Sequence, residues 1–314
     1  MKRTTSPKWI FRAAAAALAV AAIGIAVSCK SSNQPPAQSN AQATYKTPAD
    51  AGQALLAAAK AQDDKALSNV LGPDSPAILS SGDANEDKAG WTSFAEQYGR
   101  MNRWVAMTDG SQVLYIGAEN YPFPIPLAKN AAGQWYFNTA AGRNEMLARR
   151  IGRNELLAID AVNAIGTSEQ TYLKSAHQYT QKIISTPGQK DGLYWTVKAD
   201  EPPSPLGRVD EFAKDAIAAA ASGGPTEFDG YTFRILTAQG AAAKGGAKTY
   251  LTNDKLTGGF AVLATPVKYG DSGIMTFMMS REGVVYQKDL GPNTAQAAAA
   301  ITSYDPGDGW EKAE

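Results

Sequence analysis

His177 is the single histidine in a chain of 314 residues, so a Ser–His–acid triad would have to be built around it. No Gly-x-Ser-x-Gly surrounds any serine, and a nucleophile elbow is not indicated. A histidine at a helix end, on the surface or in packing, is the expectation. Cys29 is the only cysteine, which leaves too few nitrogen and sulfur ligands for the usual zinc sets. Calcium needs only oxygens. Asp83-Ala84-Asn85-Glu86-Asp87 starts like a calcium loop, but Lys88 stands where glycine is required and Phe94 where the closing glutamate belongs. Asp305 and Asp308 share a tight turn in Asp305-Pro306-Gly307-Asp308-Gly309 and are a weak calcium candidate. Two acids seldom fill a shell of roughly six to eight oxygens, and a solvated turn is expected there.

Two further groups could hold a ligand. Arg149, Arg150 and Arg153 lie close together with Glu145, Asn154, Glu155 and Asp160. Three guanidiniums can clamp a carboxylate, a phosphate or an acidic sugar. The competing reading, ion pairing that docks a helix, starts from the Glu145–Arg149 spacing of four and is favoured. Trp135, Tyr194 and Trp195 could form a stacking platform for a sugar, although aromatic residues at strand positions are more often core. A glycan hydrolase would need two carboxylates roughly 5–10 Å apart. Acids are scattered along the chain, with no spacing that marks such a pair. The glycine pairs fit neither phosphate-binding pattern, so no nucleotide and no other cofactor is expected.

Cys29 carries a different chemistry. Lys2, Arg3, Lys8 and Arg12 precede an apolar run of 15 residues, Ala13 to Val27, and Ala26-Val27-Ser28 put small residues ahead of the thiol. The run is short for a membrane span, which takes roughly 20 residues. Basic start, short apolar stretch and small residues describe a cleaved signal over 1–28. The segment resembles the lipobox of bacterial lipoproteins, with Ala26 in place of the commoner leucine. That resemblance implies that Cys29 is acylated and becomes the first residue of the mature chain. Lys30 follows, where an aspartate would imply retention at the inner membrane. An outer-membrane lipoprotein facing the periplasm or the cell surface is the expectation.

Removing residues 1–28 takes four basic residues and no acid from a balance of 30 Lys+Arg against 30 Asp+Glu. The remaining 286 residues then carry a net charge of −4. With no basic surplus, nucleic acid is not an expected partner. A lipidated Cys29 leaves no thiol for disulfides or catalysis. With 44% hydrophobic residues, six tryptophans and thirteen tyrosines, the chain can bury a sizeable core.

The elements that must position these residues are α+β. Residues 29–44 are polar and proline-containing, and read as a tether. An N-terminal α+β domain over 45–185 begins with the helix signal Thr47-Pro48-Ala49-Asp50. Short helices follow, with Trp91, Phe94 and Tyr98 on one of them, and then strands near 104–107, 113–116, 123–128 and 134–139. A long helix is predicted from Ala140 to about His177, with Gly166-Thr167 as a possible break. Over 186–314 a short alanine-rich helix is predicted at Val209 to Ala221, then an antiparallel meander with period two from Tyr231 to Gln287. A short helix near Asn293 to Ile301 closes it.

Four blocks resemble a family. They are PFPIPLAKNAAGQWYFNTAAGRNEMLARRIGRNELLAID (122–160), KDGLYW (190–195), GYTFRILTAQG (230–240) and GGFAVLATPVKYGDSGIMTFMMSREGVVYQKDLGPNT (258–294). Together they are similar to the secreted bacterial proteins grouped as domain of unknown function 2950. The resemblance implies relatives and an envelope location, and carries no functional residues. The last third also resembles the C-terminal β-meander of type IV pilin-like proteins, without their uninterrupted apolar N-terminal helix. The combined expectation is a non-enzymatic, lipid-anchored envelope protein that binds or assembles with an envelope protein or polysaccharide. The alternatives are a glycan hydrolase and a structural spacer.

Overall fold

Thr47 begins the first ordered element through a reciprocal cap. Its hydroxyl accepts the backbone N–H of Asp50, and the Asp50 carboxylate accepts the N–H of Thr47 at 3.2 Å. In this computed structural model, residues 42–75, 84–198, 200–207 and 225–313 are described. Cys29, the signal, the tether up to residue 41 and the helix expected at Val209–Ala221 lie outside them.

The cap opens α1 (Pro48–Ala61), followed by α2 (Asp64–Leu71) and α3 (Ala84–Arg100). Thr47→Ala removes one cap partner and is expected to cost about 1 kcal/mol in urea unfolding. A sheet of five antiparallel strands comes next. Its members are β1 (Asn102–Ala106), β2 (Gln112–Ile116), β3 (Tyr121–Pro122), β4 (Leu127–Lys129) and β5 (Trp135–Phe137). The order is β1-β2-β4-β5, with β3 beside β2. Residues 123–128 do not form the single strand expected of them. Pro122, Pro124 and Pro126 cannot donate to a ladder, so pairing stops at Pro122 and resumes at Leu127, while Phe123 and Ile125 between them point into the core.

Three helices and this sheet enclose one apolar core containing Leu55, Leu67, Phe94, Leu114, Ile125 and Phe137. The chain joins it before Tyr45. The Gln42 amide donates to the carbonyl of Phe137 at 2.7 Å, and the N–H of Ala43 to that of Asn69 at 2.8 Å. Residues 42–44 are therefore part of the folded body, three residues earlier than the domain start read from the sequence.

α4 (Thr139–Ala176) runs through Gly166 without a break. Gly166 packs there against the flexible end of the Met279 side chain. The helix serves two cores. Near its start Gly142 lies against Ile125, and toward its end Ala158, Val162 and Ile165 enter a second core.

That second core rests on a six-stranded antiparallel sheet. The chain contributes β6 (Thr226–Phe228) and β7 (Tyr231–Leu236), then two small ribbons. These pair β8 (Ala238–Gln239) with β9 (Lys248–Thr249), and β10 (Leu251–Thr252) with β11 (Lys255–Leu256). β12 (Ala261–Pro266), β13 (Met275–Ser280), β14 (Val285–Asp289) and, after the short helix α5 (Thr294–Ala299), β15 (Glu311–Lys312) complete it. Their order is β15-β14-β13-β12-β7-β6.

The register sorts the faces. Val262 pairs with Ile235 and Met279, and that face meets α4 through Met279 beside Gly166. Leu263 pairs with Arg234 and Met278, and on that face the Arg234 guanidinium donates to the carbonyl of Ala298 at 2.6 Å in α5. Covered on both sides, β12 is nearly all buried. The α+β class with antiparallel sheets is as expected from the sequence.

Candidate functional site

The arginine cluster on α4 does not converge. Arg149 bonds Glu145 at 2.7 Å, the phenol of Tyr121 at 3.1 Å and the carbonyl of Pro122 at 2.8 Å. Arg150 pairs with Asp271. Arg153 is exposed, and its charge acts on Asp229 in the turn between β6 and β7. Next to them Asn154 donates to the carbonyl of Ser272 at 2.9 Å, and Glu155 accepts the N–H groups of Ile274 and Met275. The polar face of α4 thus docks the start of β13; Arg149 and Arg150 are bonded within the fold, while Arg153 is exposed with its charge acting on Asp229.

Trp135 sits in β5 at 8% exposure, inside the first core, with Lys129 Nζ 4.8 Å from its ring centre. His177 ends α4 in the left-handed conformation, exposed. The Asp305 carboxylate accepts the N–H of Ala242 at 2.8 Å, and Asp308 offers its backbone carbonyl to Lys288. Among the described residues, no group of three or more His, Cys, Asp or Glu side chains could hold a metal ion.

Tyr194 and Trp195, by contrast, line one groove of about 350 Å³. Ser185, Thr186, Gln189 and Lys190 also line it. The groove is made by a loop that crosses itself. Ile184 and Tyr194 form a parallel bridge, in which the N–H of Ser185 donates to the carbonyl of Tyr194 at 2.8 Å and that of Tyr194 to Ile183 at 2.9 Å. Gly192 sits where a Cβ would lie 2.7 Å from the nitrogen of Ser185, so only glycine allows the strands this close. The boundary placed after residue 185 falls within this loop.

Asp191 ties the loop together. It accepts the N–H of Thr186 at 2.8 Å, the hydroxyl of Thr186 at 2.9 Å and the ammonium of Lys182 at 2.5 Å. Burial opposes its ionisation, but Lys182 and Thr186 outweigh that and hold the carboxyl below its ordinary value. Lys190 stands 5.5 Å from the ring centre of Trp195. The indole Nε1 of Trp195 is shielded from solvent and has no acceptor.

Under the loop lies a residue that the sequence reading passed over. Glu169 of α4 is fully buried. Its Oε2 accepts the N–H of Thr180 at 3.0 Å, while Oε1 has no partner. Burial pushes this carboxyl up to about 8, against the pull of the Thr180 N–H. The signal was its position, since Val162, Ile165, Glu169 and Tyr172 follow helical spacing along the buried stripe.

What the fold and groove define is an α+β protein with two cores joined by one helix and an aromatic-lined surface loop. The family model described as protein of unknown function (DUF2950) matches residues 42–313, and the chain belongs to that family. No curated protein and no solved structure matches it.

Proposed function

We propose that this is a lipid-anchored envelope protein whose folded body binds an envelope polysaccharide in the groove beside Tyr194 and Trp195. The observation that carries the reading is the pairing of two aromatic side chains with Ser185, Thr186 and Gln189 in one groove. A sugar ring has an apolar C–H face that packs on an aromatic ring and a rim of hydroxyls that need polar partners. Lys190 adds a cation at the rim, and among the described residues no carboxylate lines the groove, which favours binding over paired-acid hydrolysis.

The anchor is Cys29, carried by the signal described above, with the body held at the outer membrane. Mass spectrometry of the mature N-terminus tests it, and a diacylglyceryl mass on Cys29 is expected. Co-sedimentation of the full chain with purified peptidoglycan, and its retardation in gels holding neutral or uronic-acid polysaccharides, tests the groove. Trp195→Ala is expected to weaken binding about tenfold, equivalent to roughly 1.4 kcal/mol. An unchanged affinity, or capture of a protein with no saccharide bound, would count against the reading.

A further inference from the structure

We propose that Glu169 is a proton-operated latch for the groove: its neutral carboxyl seats the loop over 179–194, and its ionisation releases that loop. The proposal rests on the groove reading above only for the biological meaning of the release. The geometry is independent of any ligand.

The mechanical link is continuous. Glu169 Oε2 holds the backbone of Thr180. The Thr180 hydroxyl donates to the carbonyl of Asp191 at 2.6 Å. The Asp191 carboxylate in turn holds Thr186 and Lys182. Thr186 lines the groove, and Gly192, next to Asp191, donates its N–H to Ser185 Oγ at 2.9 Å. A displacement at Thr180 therefore reaches the groove through two bonded residues.

The charges around Glu169 explain why its proton matters. On its own helix Tyr172 lies one turn away; burial raises that phenol first, then the charges of Asp191 and Glu169. From the loop come Asp191 and Lys182, which neutralise each other. The segment that meets α4 at Ser168, through the carbonyl of Pro205, has no titratable residue between Pro202 and Gly207. Among the described residues no cation acts on Glu169. A carboxylate with one oxygen unpartnered and no counter-charge is costly to bury. Water reaches it if the segment carrying Thr180 lifts, and the ionised form favours that lifted state. The proton comes off to bulk solvent, and no other group changes charge.

Hydrogen exchange on the full chain, resolved to peptides within 177–198 and corrected for the intrinsic rate at each pH, tests the latch between pH 5.5 and 9.5. Protection of this loop is expected to fall at least tenfold across the range, with a midpoint well above the ordinary carboxylate value. Glu169→Gln should keep it protected throughout. Thr180→Val should leave the carboxyl titration in place, read by carbon NMR, and uncouple Thr186 from it. A Glu169 signal titrating in the ordinary range, or the same loss of protection in Glu169→Gln, would overturn the latch. Failure of peptidoglycan and polysaccharides to bind at pH 6 while the loop still responds to pH would remove the groove's ligand and leave the latch standing.

Discussion

Gly192→Ala is expected to dismantle the groove, costing roughly 2–3 kcal/mol of stability and eliminating ligand binding. The added Cβ would stand 2.7 Å from the nitrogen of Ser185 and 2.8 Å from the carbonyl carbon of Ile184. Both are backbone atoms, fixed by the bonds from Ser185 to Tyr194 and from Tyr194 to Ile183. No rotamer change relieves the contact, so the two crossing segments must part. The Gly192–Ser185 bond goes with them. Gly283, outside the groove lining, is the control. It occupies the left-handed region at φ +77°, and its Cβ would meet nothing within 4 Å. Gly283→Ala carries only the conformational cost, about 1 kcal/mol, and should leave binding intact. Urea unfolding and peptidoglycan co-sedimentation of the two variants give the comparison. Equal effects would mean that the crossing is not what shapes the groove.

The second large effect is on stability against pH. Glu169 keeps its proton in the folded chain after the unfolded chain has released it, because burial pushes the carboxyl up to about 8. Between the ordinary carboxylate value and that point the native state binds more protons. Stability therefore falls as pH rises through the window, by up to about 1.4 kcal/mol per pH unit. The contribution is whole below the unfolded value and lost above the folded one. Asp191 works with the opposite sign, since its carboxyl is held low and its contribution disappears as pH falls through its folded value. The two windows lie on opposite sides of the ordinary carboxylate range. Urea midpoints at pH 5, 6, 7 and 8 should fall steadily for the natural chain and stay level for Glu169→Gln. A flat natural profile, or an equal slope in the variant, would contradict the assignment.

These residues also mark what the sequence made legible. Alternation over Tyr231–Leu236 and the run from Ile274 to Met279 located β7 and β13. Helical spacing located α4. One apolar residue of that helix, Leu156, is nonetheless 64% exposed. The buried stripe runs instead through Asn154, Ala158, Val162 and Ile165, with Asn154 bonded to Ser272. Gly166 read as a break because propensity is local, whereas the helix continues past it where it packs on Met279 of the distant β13. The groove was half legible. Tyr194 and Trp195 stood out as aromatic neighbours beside turn signals, but Trp135 carries the same signal and is core. What separates them is a crossing between 183–185 and 192–194 that no periodicity encodes. Glu169 was visible as an acid in an apolar stripe, and its meaning needed the backbone of Thr180 placed above it.

The proposed function places a saccharide against Trp195 and its loop. The most direct measurement follows the indole N–H signals of the nitrogen-labelled full chain while soluble peptidoglycan fragments and uronic-acid oligosaccharides are added at pH 6. Trp195 is assigned by its loss in Trp195→Phe. The prediction is that its signal moves with saturable dependence while those of Trp104 and Trp135 stay in place, and that the saccharide is recovered at its original length. Movement of other tryptophans in place of Trp195, no movement across the panel, or shortened saccharide would contradict it.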